Sequence, residues 1–427
     1  MRALPLWLTV CLTVGGVALA QEEAGLGGDV AMAVGGHVEQ LLAFARERHP
    51  EFAALRHEAA AAALRIDPAG ALPDPMFGIE LRDFATPDAG PNLLPSRVGS
   101  TRYTVTQSLP WFGKRDLKRD IAAAAASEAQ GRAETAWVDL AWQIKQTFAQ
   151  HYLHQTRLRY GRENLDLLER LERITLARYT GGLAPQQDVI RAQTERTALE
   201  SELVLLEGEN AQTAARLKSL LGADAGVRLA PPERLRPLPP AARLDAAALE
   251  ARLVEASPRL ATETARIGAA EKSRELAYRN RYPDVSVGLA AIQSRSRVTG
   301  YDLMFEINIP LQQDSRRAQE REAERMLDAA KNRRQAALNQ ARSELNENLA
   351  ALHAARRVEE LVSTRLLPQA ELTLQAALAG YETGKVDFAT VLDAQRQIRK
   401  AKEDLVRARV AQELRRADLE RAIGEEL

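Results

Sequence analysis

Apolar residues recur along much of this chain in steps of three and four, the spacing that lines one face of a helix. From about Lys114 to Arg178 no proline interrupts, which predicts a single helix of roughly 97 Å at 1.5 Å per residue, with Gly131 and Gly161 as its weak points. The next stretch, about Pro185 to Leu221, carries Leu199, Leu203, Leu206, Asn210, Thr213, Leu217 and Leu220. That is a heptad seam with two polar interruptions. Leu345, Leu349 and Leu352 repeat the spacing later on. Since the mean globular helix has about 11–12 residues, helices of this length predict coiled-coil hairpins.

Between the helical stretches the period changes to two. Phe77, Ile79 and Leu81 alternate with Gly78, Glu80 and Arg82, and Tyr103 and Val105 alternate with Thr104 and Thr106. Val285, Val287 and Leu289 alternate with Ser286, Gly288 and Ala290. The clearest strand sets Tyr301, Leu303, Phe305, Ile307 and Ile309 against Asp302, Met304, Glu306 and Asn308. Each segment has the roughly 9–11 residues that a tilted transmembrane strand needs. Alternation by itself says only that one face is apolar, so a soluble sheet packed on helices fits equally well. The acidic polar face of the last strand suits a water-filled lumen. Trp111 and Phe112 after Pro110, with Tyr282 before Pro283, suit an interfacial aromatic girdle. Lys114, Arg115, Lys118 and Arg119 open the long helix, where its dipole disfavours cations; anionic lipid headgroups near that boundary would compensate them, and a solvated helix start is the alternative. Four strands cannot close a barrel in lipid, whereas three chains would supply 12.

The pattern occurs twice. Residues 179–222 align without a gap on 381–424, with 10 identities in 44 positions at an offset of 202. Such self-similarity predicts a duplication: a first repeat over 38–222 (strand pair 73–109, hairpin 114–222) and a second over 244–427 (strand pair 283–310, hairpin 314–424). The connector, 223–243, holds Pro231, Pro232, Pro237, Pro239 and Pro240 and is expected to be neither helical nor inside a sheet. Residues 1–20 have the charged start, apolar middle and Ala18-Leu19-Ala20 end of a cleaved signal peptide rather than an anchor, and 21–37 reads as a flexible segment.

Composition then removes alternatives. The 427 residues hold 58 Lys+Arg and 58 Asp+Glu, and this zero balance argues against nucleic acid as a partner. The single cysteine, Cys11, lies in the expected signal peptide, so the mature chain would have no disulfide, thiolate nucleophile or lipidation site. No enzymatic constellation, Walker loop or G-x-S-x-G stands out, and neither a cofactor nor a metal is expected. His151 and His154 share a helix face but have no third ligand nearby in sequence, which reads as a solvated face. Glu425 and Glu426 read as a frayed end.

With these residues in view, the chain resembles the TolC-like outer-membrane efflux proteins over nearly its whole mature length. Leu72-Pro73-Asp74-Pro75 and the stretch from Gln107 to Arg115 are similar to the branch serving heavy-metal exporters. The resemblance implies a mainly α homotrimer whose long hairpins form an α-barrel in the periplasm, topped by a 12-stranded β-barrel with four strands per chain. A periplasmic adaptor (a membrane fusion protein) would join it to an inner-membrane pump of the RND or ABC type. The channel would pass heavy-metal cations or drugs without chemistry. A periplasmic coiled-coil adaptor or scaffold, or the export channel of a type I secretion system, is the alternative. The family pattern places Gly182, Leu183, Gly384, Lys385 and Val386 at adaptor-contacting tips. It makes Asp188 and Tyr381 a closing latch, and puts Asp393 and Thr390 at the pore aperture. Trp111, Phe112, Lys114 and Arg115 fall at the membrane interface. Thr390 stands where a second constricting carboxylate would be, and Val386 where some members have a basic latch residue.

Overall fold

The computed structural model describes residues 33–86, 90–91, 93–95, 98–223 and 227–427. The expected signal peptide and residues 21–32 lie outside them. The elements run β1 (Ala33–Val34), α1 (Val38–Arg48), α2 (Pro50–Leu64), α3 (Ile66–Gly70), β2 (Met76–Arg82), β3 (Ala85–Thr86), β4 (Gly90–Pro91) and β5 (Ser100–Leu109). Then come α4 (Lys114–Thr180), α5 (Gln186–Leu220), β6 (Arg228–Leu229), α6 (Ala246–Ala256), α7 (Pro258–Arg279), β7 (Asp284–Ser294) and β8 (Arg297–Asn308). The chain ends with α8 (Gln313–Leu361), α9 (Leu367–Glu382) and α10 (Phe388–Ile423). It is mostly helical with a small antiparallel sheet.

The long helix has 67 residues, about 100 Å at 1.5 Å each. It packs on α5 along the predicted seam, where Leu199, Leu203, Leu206 and Leu217 are buried. In the second hairpin Leu345, Leu349 and Leu352 are buried in the same way. The two hairpins touch through α4 and α10, and α7 lies between α4 and α8. Gly131 and Gly161 are not weak points. A Cβ at Gly131 would stand 2.4 Å from Thr262 Oγ1 of α7, and one at Gly161 2.6 Å from Leu203 Cδ2 of α5. Both glycines sit where a neighbouring helix packs close, so a side chain at either would force Thr262 or Leu203 to shift.

Hairpin 314–424 contains a feature that the apolar spacing did not predict. Pro368 lacks an N–H and its ring crowds the carbonyl four residues back. The chain answers with a single wide turn over Val362–Leu366, with i→i+5 geometry, which carries α8 into α9 without a break. Elsewhere β1 pairs in parallel with β6, and Glu233 N donates to Gly36 O at 3.0 Å. The last residues of segment 21–37 are thus tied to the proline-rich connector.

That connector also feeds a buried ionic cluster. Glu420 of α10 accepts hydrogen bonds from Lys145 of α4 (2.7 Å), from Arg236 of the connector (3.0 Å) and from Arg416 (2.9 Å). Arg236 also pairs with Glu413 at 2.6 Å. Burial alone would push the Glu420 carboxyl up, but Lys145 and Arg236 outweigh it and hold it below the ordinary carboxylate range. The C-terminal acids, read as frayed, are held as well: Glu425 pairs with Arg252 at 2.9 Å and Glu426 with Lys145 at 3.5 Å.

The main sheet has the order β2-β5-β7-β8, every neighbour antiparallel. Its register sets Ile79 opposite Tyr103, Val105 opposite Leu289, and Leu289 opposite Leu303. One face is therefore apolar, and it is bare: Phe77, Ile79, Val105, Leu289, Leu303, Phe305 and Ile307 are all exposed. The other face carries Glu80, Arg102 and Asp302, with Arg102 3.3 Å from Asp302. β2 and β8 are edge strands, each with one neighbour.

Candidate functional site

The two hairpin tips are built alike. At the first, Gly182 N donates to Tyr179 O (2.9 Å) and Leu183 N to Arg178 O (2.7 Å); at the second, Gly384 N donates to Tyr381 O (3.1 Å) and Lys385 N to Gly380 O (2.8 Å). Gly182 and Gly384 have φ of 74° and 71°, the left-handed conformation that closes a helix end and that side chains resist. Leu183 is 72% exposed and Lys385 is exposed, while Val386 is half-buried against the apolar cluster that includes Tyr381 and Phe388.

Tyr381 and Asp188 lie near this end but are not hydrogen-bonded to each other among the described residues. The Tyr381 hydroxyl meets Thr175 Oγ1 of α4 at 3.3 Å. Its buried ring lies against Phe388 and under the Arg178 guanidinium at 4.8 Å. Asp188, in the first turn of α5, is half-buried. Burial holds its carboxyl above the ordinary value against the pull of Arg191, and Asp387 adds to the rise. Thr390 is engaged in starting α10: its N–H and hydroxyl both donate to Asp387 Oδ1, a helix N-cap. Asp393 is exposed, 3.7 Å from Arg396, beside a groove of about 720 Å³ between α5 and α10 that Ile190, Arg191 and Glu195 also line. Arg178 was not singled out in the sequence. Its only signal there is its place in the last turn of a helix, where many arginines of this chain could equally stand.

At the opposite end of α4, Trp111 stacks on Tyr282 with ring centroids 5.3 Å apart, and Phe112 is 83% exposed. The cations beside them are answered within the chain. Lys114 is buried, 2.8 Å from Asp284 and 2.9 Å from Tyr282 O. Arg115 Nε donates to Gly70 O at 2.8 Å. Lys114 joins the long helix to β7 and Arg115 joins it to α3, offsetting the unfavourable dipole with a carboxylate and carbonyls rather than requiring a headgroup.

The histidine pair is not a solvated face. His151 is buried and His154 half-buried, its Nδ1 3.3 Å from Glu209 of α5. Among the described residues no group of three or more His, Cys, Asp or Glu could hold a metal. Burial is the main reason that both imidazoles titrate below their ordinary value. His154 adds to the effect at His151, and Glu209 opposes it at His154 more than Arg157 reinforces it. A histidine with a lowered folded pKa stabilises the fold fully above its unfolded pKa, near 6.5, and that contribution is lost as pH falls below it. The melting temperature of the purified protein is therefore expected to fall between pH 7.5 and 5. His151→Gln should flatten that slope, and an unchanged slope would place the pH dependence elsewhere.

The profile of the family described as "Outer membrane efflux protein" matches residues 41–223 and 250–425. No curated protein matches the chain. Among solved structures, the outer-membrane channel OprN is similar at a TM-score of 0.76 and 19% identity, covering 91% of this chain and 89% of that one. The outer membrane protein VceC of Vibrio cholerae is similar at 0.77 and 16%, covering 91% and 96%. CusC, described for its folding and transmembrane channel formation, is similar at 0.76 and 17%, covering 92% and 93%. At these identities the likeness is one of fold.

Proposed function

Because the chain belongs to the outer membrane efflux protein family, we propose that it is the outer-membrane channel of a tripartite efflux system. The observation that carries this reading is the four-stranded sheet: one continuous apolar face exposed, a polar face with paired charges opposite, and an open edge on each side. Among the described residues no helix is long and apolar enough to cross a membrane. Three copies joined edge to edge would remove the open edges, which lipid does not tolerate, and give a 12-stranded barrel. The hairpins would continue it as a tunnel of about 100 Å. Gly182, Leu183, Gly384, Lys385 and Val386 would meet a periplasmic adaptor coupled to an inner-membrane pump. Asp393 would line the aperture with Thr390 as a weakly polar neighbour, and Asp188 and Tyr381 would come together when the tips close. Two motifs, Leu72 to Pro75 and Gln107 to Arg115, favour heavy-metal cations as the cargo.

Planar-bilayer recording on the full-length protein tests this reading. Discrete single-channel steps are expected, with block by divalent or trivalent cations from the tip side, and Asp393→Asn should weaken that block severalfold. Absence of steps, together with release of the protein by osmotic shock without detergent, would overturn the channel. Unaltered block would remove Asp393 from the aperture.

A further inference from the structure

The register of the sheet places Glu80 and Arg82 of β2, Arg102 of β5, and Asp302 and Glu306 of β8 on its polar face. Asp284, at the edge of that face, is taken up by Lys114. Three carboxylates against two guanidinium groups leave one net negative charge per chain there, in a sequence whose total is zero.

The two arginines are not free cations. Arg102 Nη2 is 3.3 Å from Asp302 and its Nη1 is 4.0 Å from Glu80, with the side chain only 20% exposed. Its Nε is buried without a hydrogen-bond partner among the described residues. Asp302 stands two strands away from Arg102, across β7, a span of about 10 Å at the usual strand spacing. The β7 residue opposite Asp302 is Ala290, small and completely buried, so the guanidinium lies along the wall of the sheet and does not stand up from it. Arg82 in turn pairs with Glu80 at 3.1 Å. Glu306, further along β8 toward the long helices, faces Ser286 and has no ion-pair partner among the described residues.

We propose that this face is an ion-selecting zone of the barrel, separate from the tips, and that Asp302 is its specificity-determining residue. It masks the Arg102 charge against the wall and leaves Glu306 to favour cations in the lumen. The proposal rests on the channel reading, in which three copies turn this face inward, since rings of like charge decide which ions a pore passes.

The test is the reversal potential of the full-length protein in planar bilayers under a KCl gradient. The wild type should prefer potassium to chloride. D302N cancels the net negative charge and unmasks Arg102, and it should lower the permeability ratio about threefold at 0.1 M salt, while R102Q should raise it about twofold. Both shifts should shrink at 1 M salt, where the screening length falls to about 3 Å. The double variant R102Q/D302N regains the wild-type net charge and should return close to the wild-type ratio, which a distorted sheet would not do. D302E keeps the charge and should keep the ratio. Both shifts should persist in an Asp393→Asn background, which separates the barrel from the aperture. If D302N does not fold, R102Q and its salt dependence carry the test. Unchanged ratios in conducting variants would overturn the proposal and leave the channel reading standing, and so would a double variant shifted further than D302N. A wild type that does not conduct would remove the channel reading and this proposal with it.

Discussion

Glu420→Ala should destabilise the protein by about 3–5 kcal/mol, the loss measured when one partner of a buried ion pair is removed. The magnitude follows from what is left behind. Lys145, Arg236 and Arg416 all direct donors at this carboxylate, and the side chains of Glu420, Lys145 and Arg236 are at most 7% exposed. Without it, three cations are left facing one another, with Glu413 remaining on Arg236 and the exposed Glu426 on Lys145. Because the cluster joins α4, α10 and the connector, the loss should appear in the melting of the whole body rather than at a chain end. Glu425→Ala is the internal comparison. Its pair with Arg252 is half exposed, and exposed pairs are worth about 0–1 kcal/mol. Thermal melts of both variants in detergent check this. Equal shifts for the two would mean that the buried cluster does not hold the helices together.

Leu303→Arg should remove the protein from the outer-membrane fraction. Leu303 is in the middle of β8, 64% exposed on the apolar face of the sheet. An arginine near the bilayer midplane on the lipid side of a barrel costs about 2–4 kcal/mol per copy. Met304→Arg is the contrasting variant, since its side chain points to the face that carries Asp302 and Glu306, and a lumen accepts charge. Membrane fractionation with detergent extraction should find Met304→Arg in the outer membrane and Leu303→Arg absent from it. Both variants retained equally would mean that the apolar face does not meet lipid.

Both variants test features with different histories in the sequence. The alternation of Tyr301, Leu303, Phe305 and Ile307 was enough to predict which side of β8 is apolar, because a period of two leaves no other assignment. The heptad leucines of α5 likewise predicted their own burial, while the tips at Gly182 and Gly384 came from the family resemblance. The Glu420 cluster had no such signal. Glu420, Lys145 and Arg236 are spaced like dozens of other charges in a chain that is 27% charged, and the partners are 275 and 184 residues apart in sequence. The same blindness explains His151 and His154, read as a solvated face and found packed on α5. It also explains Lys114, read as awaiting a headgroup and found on Asp284.

Local order in this protein is written in short repeats of apolar residues: the long helices, the four strands and the sidedness of the sheet. Each needs only neighbours within one or two turns of chain, so each can be read one segment at a time. Which helix lies against which, and so whether a glycine is a weak point or a close contact and whether a charge is bare or buried, was decided only when the hairpins packed. A helical period states which face turns inward but not what it meets there. For a buried ion such as Glu420, the energy lies entirely in what it meets.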